Sequence, residues 1–314
     1  MAHRPVIVYS RRYNFGFPGL EKLHPFDIRK FAHAMARLRR RRMLRRGDIL
    51  KPRWPSDSEL LRVHWRSYLK SVRASDTLAG IVEVPFVARL PSFVARLALL
   101  NPMRWAVGGT MLAARQALRV GSAVNLGGGF HHAHANFGHG FCVFSDVGVT
   151  IAALRAEQLA RRFLIIDLDA HQGDGHSTLF RDDDDVQIFD MYNASIFPND
   201  RAARDGIRWD IRLRPRTRDK EYLERLTDAL PAAVDEARPD LAFYLAGTDV
   251  IEDDPLGLLG LSPEGVLERD LFVWDQLATH NIPRVMLTAG GYTVASAGLI
   301  ATTVERLLVG SGAC

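Results

Sequence analysis

Short apolar runs recur along the chain, and each of them leads into a segment rich in glycine or charged residues. Residues 163–166 are apolar without alternation, which is typical of a strand buried on both faces of a parallel sheet. Comparable runs predict strands at residues 6–9, 123–126, 164–167, 186–189, 241–245 and 285–287. Residues 222–237 and 263–277 have helical spacing, and Ser262 is placed as an N-cap. This alternation predicts an α/β fold in which helices cover both faces of a parallel sheet.

Two carboxylates and an imidazole stand at the end of the strand predicted at residues 164–167. In the sequence DLDAH, alternate side chains of an extended chain point to one side, so Asp167, Asp169 and His171 converge. A buried aspartate without a partner is costly or takes up a proton, so these carboxylates require a cation, a donor network or solvent. The competing interpretation is a solvated loop whose acids cap a helix.

A pair of histidines follows the strand predicted at residues 123–126, in the sequence GGGFHHA. Glycines at such a place let the backbone approach closely. Adjacent side chains diverge on an extended segment, so His131 and His132 are poorly placed to share one metal, but they can flank a substrate as an acid and base pair. Each then needs a carboxylate to fix its tautomer, and Asp167 and Asp174 are available. We interpret the later His134 and His139 as ordinary loop histidines.

Two further strands also end in groups that carry chemistry. Residues 241–246 lead into Asp249, and two Asp oxygens with one His nitrogen form a ligand set of charge −2. Such a set neutralises Zn²⁺ and leaves a coordination position open for water and substrate. Residues 285–287 lead into a glycine turn that can present the hydroxyl of Tyr292 inward. The glycines that we predict in turns or oxyanion contacts beside the site are Gly128, Gly129, Gly290 and Gly291.

Five motifs, GGGFHHA, GFCVFSD, DLDAHQGDGH, AGTD and GGY, occur in the order in which the zinc-dependent histone deacetylase family has them. The chain resembles that family from about Val6 to about Leu308, and residues 10–14, 19–27 and 192–193 are most similar to its class IV branch. The resemblance implies the arginase/deacetylase fold, which is an eight-stranded parallel sheet flanked by helices on both faces. It also implies that residues 1–314 form a single catalytic domain.

The same resemblance implies a role for each candidate residue. It assigns zinc binding to Asp169, His171 and Asp249, acid–base catalysis to His131 and His132 with Asp167 and Asp174 behind them, and transition-state stabilisation to Tyr292. It assigns the lining of the acyl-lysine channel to Gly140, Phe141, Phe197 and Leu256. Asp167 also matches a ligand of the structural monovalent cation of the family, usually K⁺.

The implied function is hydrolysis of the amide of Nε-acyl-lysine in a protein or peptide, with long fatty acyl groups slightly favoured over acetyl. A small-molecule amidohydrolase of the acetylpolyamine type is the alternative, because relatives of the fold take such substrates. A polyamine pocket needs acidic residues at its mouth, and Glu21, Glu252 and Asp253 are candidates.

A two-manganese ureohydrolase of the arginase type is the nearest rival on this kind of fold. Such an enzyme carries an extra Asp two places after the His and another two places after the late Asp. This chain has Gly173 and Ile251 there, so a second metal lacks its carboxylates and a bridging hydroxide has no support.

Composition fits a single intracellular enzyme domain. The chain has 314 residues, of which 47% are hydrophobic, and this size can bury a substantial core. Its two cysteines, Cys142 and Cys314, exclude a disulfide framework and fit a reducing compartment. We find no signal-peptide pattern and no apolar run of membrane-spanning length, so we expect a cytoplasmic protein.

Positive charge is concentrated between Arg29 and Arg46, in a chain of net charge +5. A non-enzymatic nucleic-acid-binding function is therefore a weaker alternative. However, Ile28, Phe31 and Met35 fall on one helical stripe that continues to Leu38, so the arginines form the solvated face of an amphipathic helix. No aromatic residue for base stacking is interleaved with the arginines of residues 37–46, and we do not expect nucleic acid as a partner.

Overall fold

The computed structural model of the protein describes residues 4–14, 29–45 and 47–310. Within this part of the chain, eight strands form one sheet in the order β2-β1-β3-β8-β7-β4-β5-β6, and every neighbouring pair is parallel. The strands are β1 (Val6–Val8), β2 (Ile49–Leu50), β3 (Ser122–Asn125), β4 (Phe163–Asp167), β5 (Val186–Asn193), β6 (Trp209–Leu213), β7 (Leu241–Leu245) and β8 (Arg284–Leu287). The predicted parallel α/β sheet is therefore confirmed.

Helices cover both faces of this sheet. They are α1 (Lys30–Arg40), α2 (Asp57–Leu60), α3 (Arg66–Ser71), α4 (Ser75–Ile81), α5 (Ser92–Ala95), α6 (Asn101–Val120), α7 (Asp146–Ala156), α8 (Asp174–Leu179), α9 (Asp219–Ala237), α10 (Pro263–Thr279) and α11 (Ser296–Val309). Ser262 caps α10 as predicted, because its hydroxyl accepts a hydrogen bond from the Gly265 N–H at 3.0 Å.

Side chains of the central strands alternate between two separate hydrophobic clusters. In β4, Leu164 and Ile166 pack with α1, α9, α10 and α11, whereas Phe163 and Ile165 pack with α6 and α7. Both faces of the strand are therefore buried, which explains why its sequence is apolar without alternation.

The two strands that hydrophobic pattern alone does not predict, β2 and β6, lie at the edges of the sheet. β2 has only two residues, and β6 contains Asp210 and Arg212 and is mostly half-exposed. An edge strand needs only one covered side, so its sequence lacks the continuous apolar run that marks a central strand. β5 also continues four residues beyond the predicted strand and ends at Asn193.

The basic stretch forms α1, whose apolar stripe packs against α11. Phe31, Met35 and Leu38 are buried, and most of the arginines around them are exposed. Arg41 pairs with Glu305 of α11, so part of the charge is neutralised within the fold. The predicted stripe is confirmed for these three apolar residues; Ile28 and Arg46 lie outside the described residues. In the described part of the chain, no helix is long and apolar enough to span a membrane.

The sheet order brings the four predicted motifs together. β3, β8, β7 and β4 are adjacent, and each is followed by one of the polar segments. Because parallel strands share one carboxyl edge, these segments meet there, at the usual place for a site in an α/β fold.

The burial of β4 leads to a stability prediction. Leu164→Ala removes a fully buried side chain, and we expect a loss of about 2–5 kcal/mol in the free energy of unfolding, measured in urea. Leu159→Ala is the matched control, because Leu159 is 50% exposed and its truncation changes stability by less than about 0.5 kcal/mol. Equal effects of the two changes would contradict the assigned burial of β4.

Candidate metal and catalytic site

Asp169, His171 and Asp249 converge at the carboxyl ends of β4 and β7. Nδ1 of His171 lies 3.0 Å from Oδ1 of Asp169 and 3.0 Å from Oδ2 of Asp249. All three residues are buried, and their ligand atoms lie within 4.8 Å of one another. A single Nδ1 proton cannot neutralise two buried carboxylates, whereas a divalent cation can. The donor set therefore fits Zn²⁺, which binds carboxylate oxygen and imidazole nitrogen.

The remaining oxygens of the two carboxylates are fixed by backbone donors. The Gly290 N–H donates to Oδ2 of Asp169 at 2.7 Å, and the Ala170 N–H donates to Oδ1 of Asp249 at 3.0 Å. A side chain at position 290 would overlap both carboxylates, so only glycine fits there. Burial, followed by the charge of Asp169, raises the pKa of Asp249 to about 7. The carboxylates are held in mutual repulsion, which a cation relieves.

Each of the tandem histidines donates to its own carboxylate. Nδ1 of His131 lies 2.9 Å from Asp167, and Nδ1 of His132 lies 2.6 Å from Asp174. The two rings are buried, and their centroids lie 4.0 Å apart. Because Nδ1 faces a carboxylate in both rings, Nε2 is the nitrogen left for chemistry.

The two tandem imidazoles differ in their affinity for a proton. Burial opposes protonation of His131, but the charges of Asp167 and Asp169 outweigh it and raise the pKa to about 10. Burial and the neighbouring His131 lower the pKa of His132 to about 3, so this ring is neutral at pH 7. At pH 7 the pair therefore contains one neutral ring, His132, and one ring that holds a proton, His131.

Tyr292 reaches the site on the loop after β8. Its ring centroid lies 5.9 Å from that of His171 and 5.9 Å from that of Phe141. Its backbone N–H donates to Oδ2 of Asp254 at 2.8 Å. Burial, followed by the charges of Asp169 and Asp249, raises the pKa of Tyr292 well above its usual range. The hydroxyl therefore keeps its proton at neutral pH and remains a hydrogen-bond donor.

The four predicted channel residues lie around these groups. Gly140 has a φ of +50°, and a Cβ there would press on the rings of His132 and Phe197. Phe197 is 43% exposed, and its ring centroid lies 5.1 Å from that of His132. Phe141 contacts Tyr292 as described above. Leu256 is half-buried, and its N–H donates to Oδ1 of Asp254, the residue that also holds Tyr292.

The site glycines are explained by loop geometry. Gly128 and Gly129 have φ values of +76° and +81°, and Cβ atoms there would meet Asp146 and Ala289 respectively. Gly291 has a φ of +128°. The N–H groups of Gly129 and Gly290 are already engaged by Asp146 and Asp169, so they serve the turns rather than an oxyanion.

The sequence analysis did not identify two positioning residues, Asp146 and Asp254, although one of them lies in a recognised motif. Asp146, the last residue of the GFCVFSD motif, accepts from the N–H groups of Gly129 and Phe130 at 3.0 and 2.8 Å. It thereby holds the loop that carries the tandem histidines. Asp254 holds the Tyr292 loop in the same way, because it accepts from the backbone N–H groups of Tyr292 and Leu256. Asp254 lies five residues after Asp249, outside the recognised motifs, so the sequence did not mark it.

The sequence analysis also did not identify two buried cationic side chains that hold the site. Arg269 of α10 donates to the carbonyl oxygens of Leu168 and Gly247, next to the candidate metal ligands Asp169 and Asp249, at 3.0 and 2.8 Å. Nζ of Lys30 donates to the carbonyl oxygens of Ala289 and Gly290 at 2.8 Å each. In the sequence both appear as charges on amphipathic helices, and only the fold shows that they point inward.

Several known proteins are similar to this chain. Residues 24–308 match the histone deacetylase domain. Histone deacetylase 2 of Arabidopsis thaliana is 44% identical over 301 residues, which cover 96% of this chain and 78% of the plant protein. The acetoin utilization protein AcuC of Staphylococcus xylosus is 26% identical over 281 residues, which cover 85% of this chain and 73% of that protein. The crystal structure of the HDA15 HD domain has the same fold, with a TM-score of 0.77 at 21% identity over 98% of this chain and 91% of that chain.

The buried contacts of Arg269 predict that its replacement lowers the stability of the fold strongly. Arg269→Met leaves Asp270 buried without its guanidinium partner, and we expect a loss of about 3–5 kcal/mol in urea denaturation. Arg208→Met is the matched control, since the Arg208–Glu236 pair is exposed and contributes less than about 1 kcal/mol. A loss for Arg269→Met as small as that of the control would show that the buried pair does not hold the fold.

Proposed function

Because the chain belongs to the histone deacetylase family, we propose that it is a zinc-dependent protein lysine deacylase. Membership of the family makes it an amidohydrolase. The observation that carries the proposal is the convergence of the buried Asp169, His171 and Asp249 beside two histidines that each have a carboxylate partner. The proposed substrate is Nε-acyl-lysine in a protein or peptide, and we propose residues 1–314 as one catalytic domain.

Asp169, His171 and Asp249 are the proposed zinc ligands. Bound zinc supplies a Lewis acid that polarises the scissile carbonyl and lowers the pKa of a water molecule. This chemistry requires rigid ligands, and the hydrogen bonds from Gly290 and Ala170 to the two carboxylates supply that rigidity.

His132 is the proposed general base. Its Nδ1 proton is held by Asp174, so its Nε2 is free to accept a proton from the attacking water. The tandem histidines then return a proton to the leaving lysine amine, and Asp167 and Asp174 stabilise the positive charge that the rings carry in turn. Such positioned acid–base catalysis contributes about 10²–10⁴-fold to the rate.

Tyr292 is the proposed donor to the oxyanion that develops on the acyl carbonyl. Its hydroxyl stays protonated, and its loop is fixed by Asp254 and Lys30. A preorganised donor in a site shielded from water needs no reorganisation at the moment of reaction, so its contribution exceeds that of a donor in water.

A monovalent cation, K⁺, is proposed beside Asp167. Asp167 is paired in register with Asp190 of β5, and both residues are buried. Oδ1 of Asp190 has no hydrogen-bond partner among the described residues, and burial, followed by the charge of Asp167, raises the pKa of Asp190. Two facing carboxylates with an unsatisfied buried oxygen fit a cation at this place.

The preference for long acyl chains over acetyl rests on the resemblance to class IV, and we propose both together. The small-molecule alternative has weaker support at the channel mouth. Glu252 is engaged by Arg218 at 3.0 Å, Asp253 is exposed, and Glu21 lies outside the described residues.

We propose a cytoplasmic site of action, because Cys142 is a free buried thiol, as expected in a reducing compartment; Cys314 lies outside the described residues.

The role of Tyr292 predicts a selective loss of turnover. Tyr292→Phe removes the hydroxyl alone, and we expect kcat to fall about 10²–10³-fold while zinc content is unchanged. Tyr192→Phe makes the same change at a hydroxyl that donates to Asp210 on the edge strand β6, and it should keep kcat. Full turnover in Tyr292→Phe would contradict the proposed oxyanion contact.

The proposed substrate class is tested by hydrolysis of one peptide carrying Nε-acetyl, Nε-octanoyl or Nε-myristoyl lysine, beside N-acetylputrescine. We expect kcat/KM to rise with chain length and every activity to be lost in Asp169→Ala. A preference for acetyl-lysine would overturn the chain-length proposal only, whereas a preference for the polyamine would overturn the substrate class. Zinc-loaded protein inert on all four would contradict the enzymatic proposal.

A further inference from the structure

Three imidazoles converge on one buried carboxylate beside the proposed catalytic site. Oδ1 of Asp174 lies 2.6 Å from Nδ1 of His132, and Oδ2 lies 3.0 Å from Nε2 of His134 and 2.8 Å from Nε2 of His139. His134 and His139 lie in the loop before α7, as predicted, but they are not ordinary loop histidines. His134 is buried against Asp174, and His139 is 28% exposed at its side chain.

We propose that His132, His139 and Asp174 form a second binding site for a divalent cation of the zinc type. Their ligand atoms lie within 4.8 Å of one another, as those of Asp169, His171 and Asp249 do. Two imidazoles and one carboxylate make a donor set that binds zinc in hydrolases and leaves a position for water. His134 donates to Oδ2 of Asp174 and orients the carboxylate.

The contact between His139 and Asp174 is the second observation that points to a cation. Nε2 of His139 is buried and has no hydrogen-bond partner among the described residues, although Oδ2 of Asp174 is only 2.8 Å away. The ring is therefore not aligned to donate a proton along this direction. A nitrogen and a carboxylate oxygen that face each other in this way are both satisfied when a cation lies between them.

The second site borders both solvent and the substrate channel. The side chain of His139 is 28% exposed, and its ring centroid lies 5.1 Å from that of the channel residue Phe197. The two donor sets share no residue. They lie next to each other, because the ring centroid of His132 is 6.0 Å from that of His171.

Occupation of this site inhibits the enzyme, a consequence that rests on the proposed function. A metal ion on Nδ1 of His132 displaces the hydrogen bond to Asp174 and confines the proton of the neutral ring to Nε2. Nε2 then has no lone pair to accept a proton from water, so the general base is lost. High free zinc is thus expected to act as an inhibitor through the same carboxylate that supports catalysis.

The existence of the site is tested by zinc binding without any activity assay. Equilibrium dialysis against buffered free zinc should give two ions per chain for the wild type and one for His139→Gln. His280→Gln is the matched control, because His280 is partly exposed and pairs with Asp235 far from the site. Asp169→Ala should keep one ion, which Asp169→Ala/His139→Gln loses. One ion in both the wild type and His139→Gln would overturn the proposal.

The inhibitory consequence is tested in the same titration with an acyl-lysine peptide. Wild-type turnover should rise as the first ion binds and then fall about 10²-fold at higher free zinc. His139→Gln should keep its own maximum at the free zinc that inhibits the wild type, each activity being expressed relative to the maximum of that protein. If no substrate is turned over, the binding result still decides whether the site exists. A wild-type chain that binds two ions without losing turnover would overturn the inhibitory role.

Discussion

Two buried aspartates held against one imidazole impose the constraint on which the rest of the structure depends. Asp169 and Asp249 follow the adjacent strands β4 and β7, and the charges of these two buried carboxylates repel each other. A backbone N–H fixes one oxygen of each carboxylate, and the other oxygen faces Nδ1 of His171. That second oxygen of Asp169 also accepts from the His171 N–H at 3.1 Å. A cation would satisfy all three ligand groups at once, so an arrangement that is unfavourable without metal fits the proposed metal site.

The surroundings of this trio show how a fold prevents such a cluster from relaxing. Arg269 and Lys30 are buried cations, yet they bind carbonyl oxygens of the strand-end loops instead of neutralising the aspartates. Asp146 and Asp254 fix the other two loops through backbone N–H groups. These four charged side chains bind backbone groups and so position the loops of the site. They leave the carboxylates of Asp169 and Asp249 available to metal.

The sequence predicted the parts of this arrangement that depend on local pattern. Apolar runs followed by polar segments marked the six inner strands, and the spacing in DLDAH placed Asp169 and His171 on one side. The order of the strands is not local, so the meeting of Tyr292 with His171 followed from the family resemblance and not from periodicity. Arg269 has no signal in the sequence, because a helical arginine that points inward looks like one that points to solvent. His139 was likewise read as a loop residue, since its contact with Asp174 depends on how a turn closes.

The most direct test of the central claim compares the stability of the wild type with that of Asp249→Asn at pH 8, by urea denaturation with chelator and with saturating zinc. Asn keeps the side-chain shape and removes one of the two opposed charges. We expect a reversal: the variant is the more stable protein without metal, and the wild type is the more stable protein with zinc. A variant that is less stable under both conditions would contradict the claim that a cation relieves repulsion between the two carboxylates.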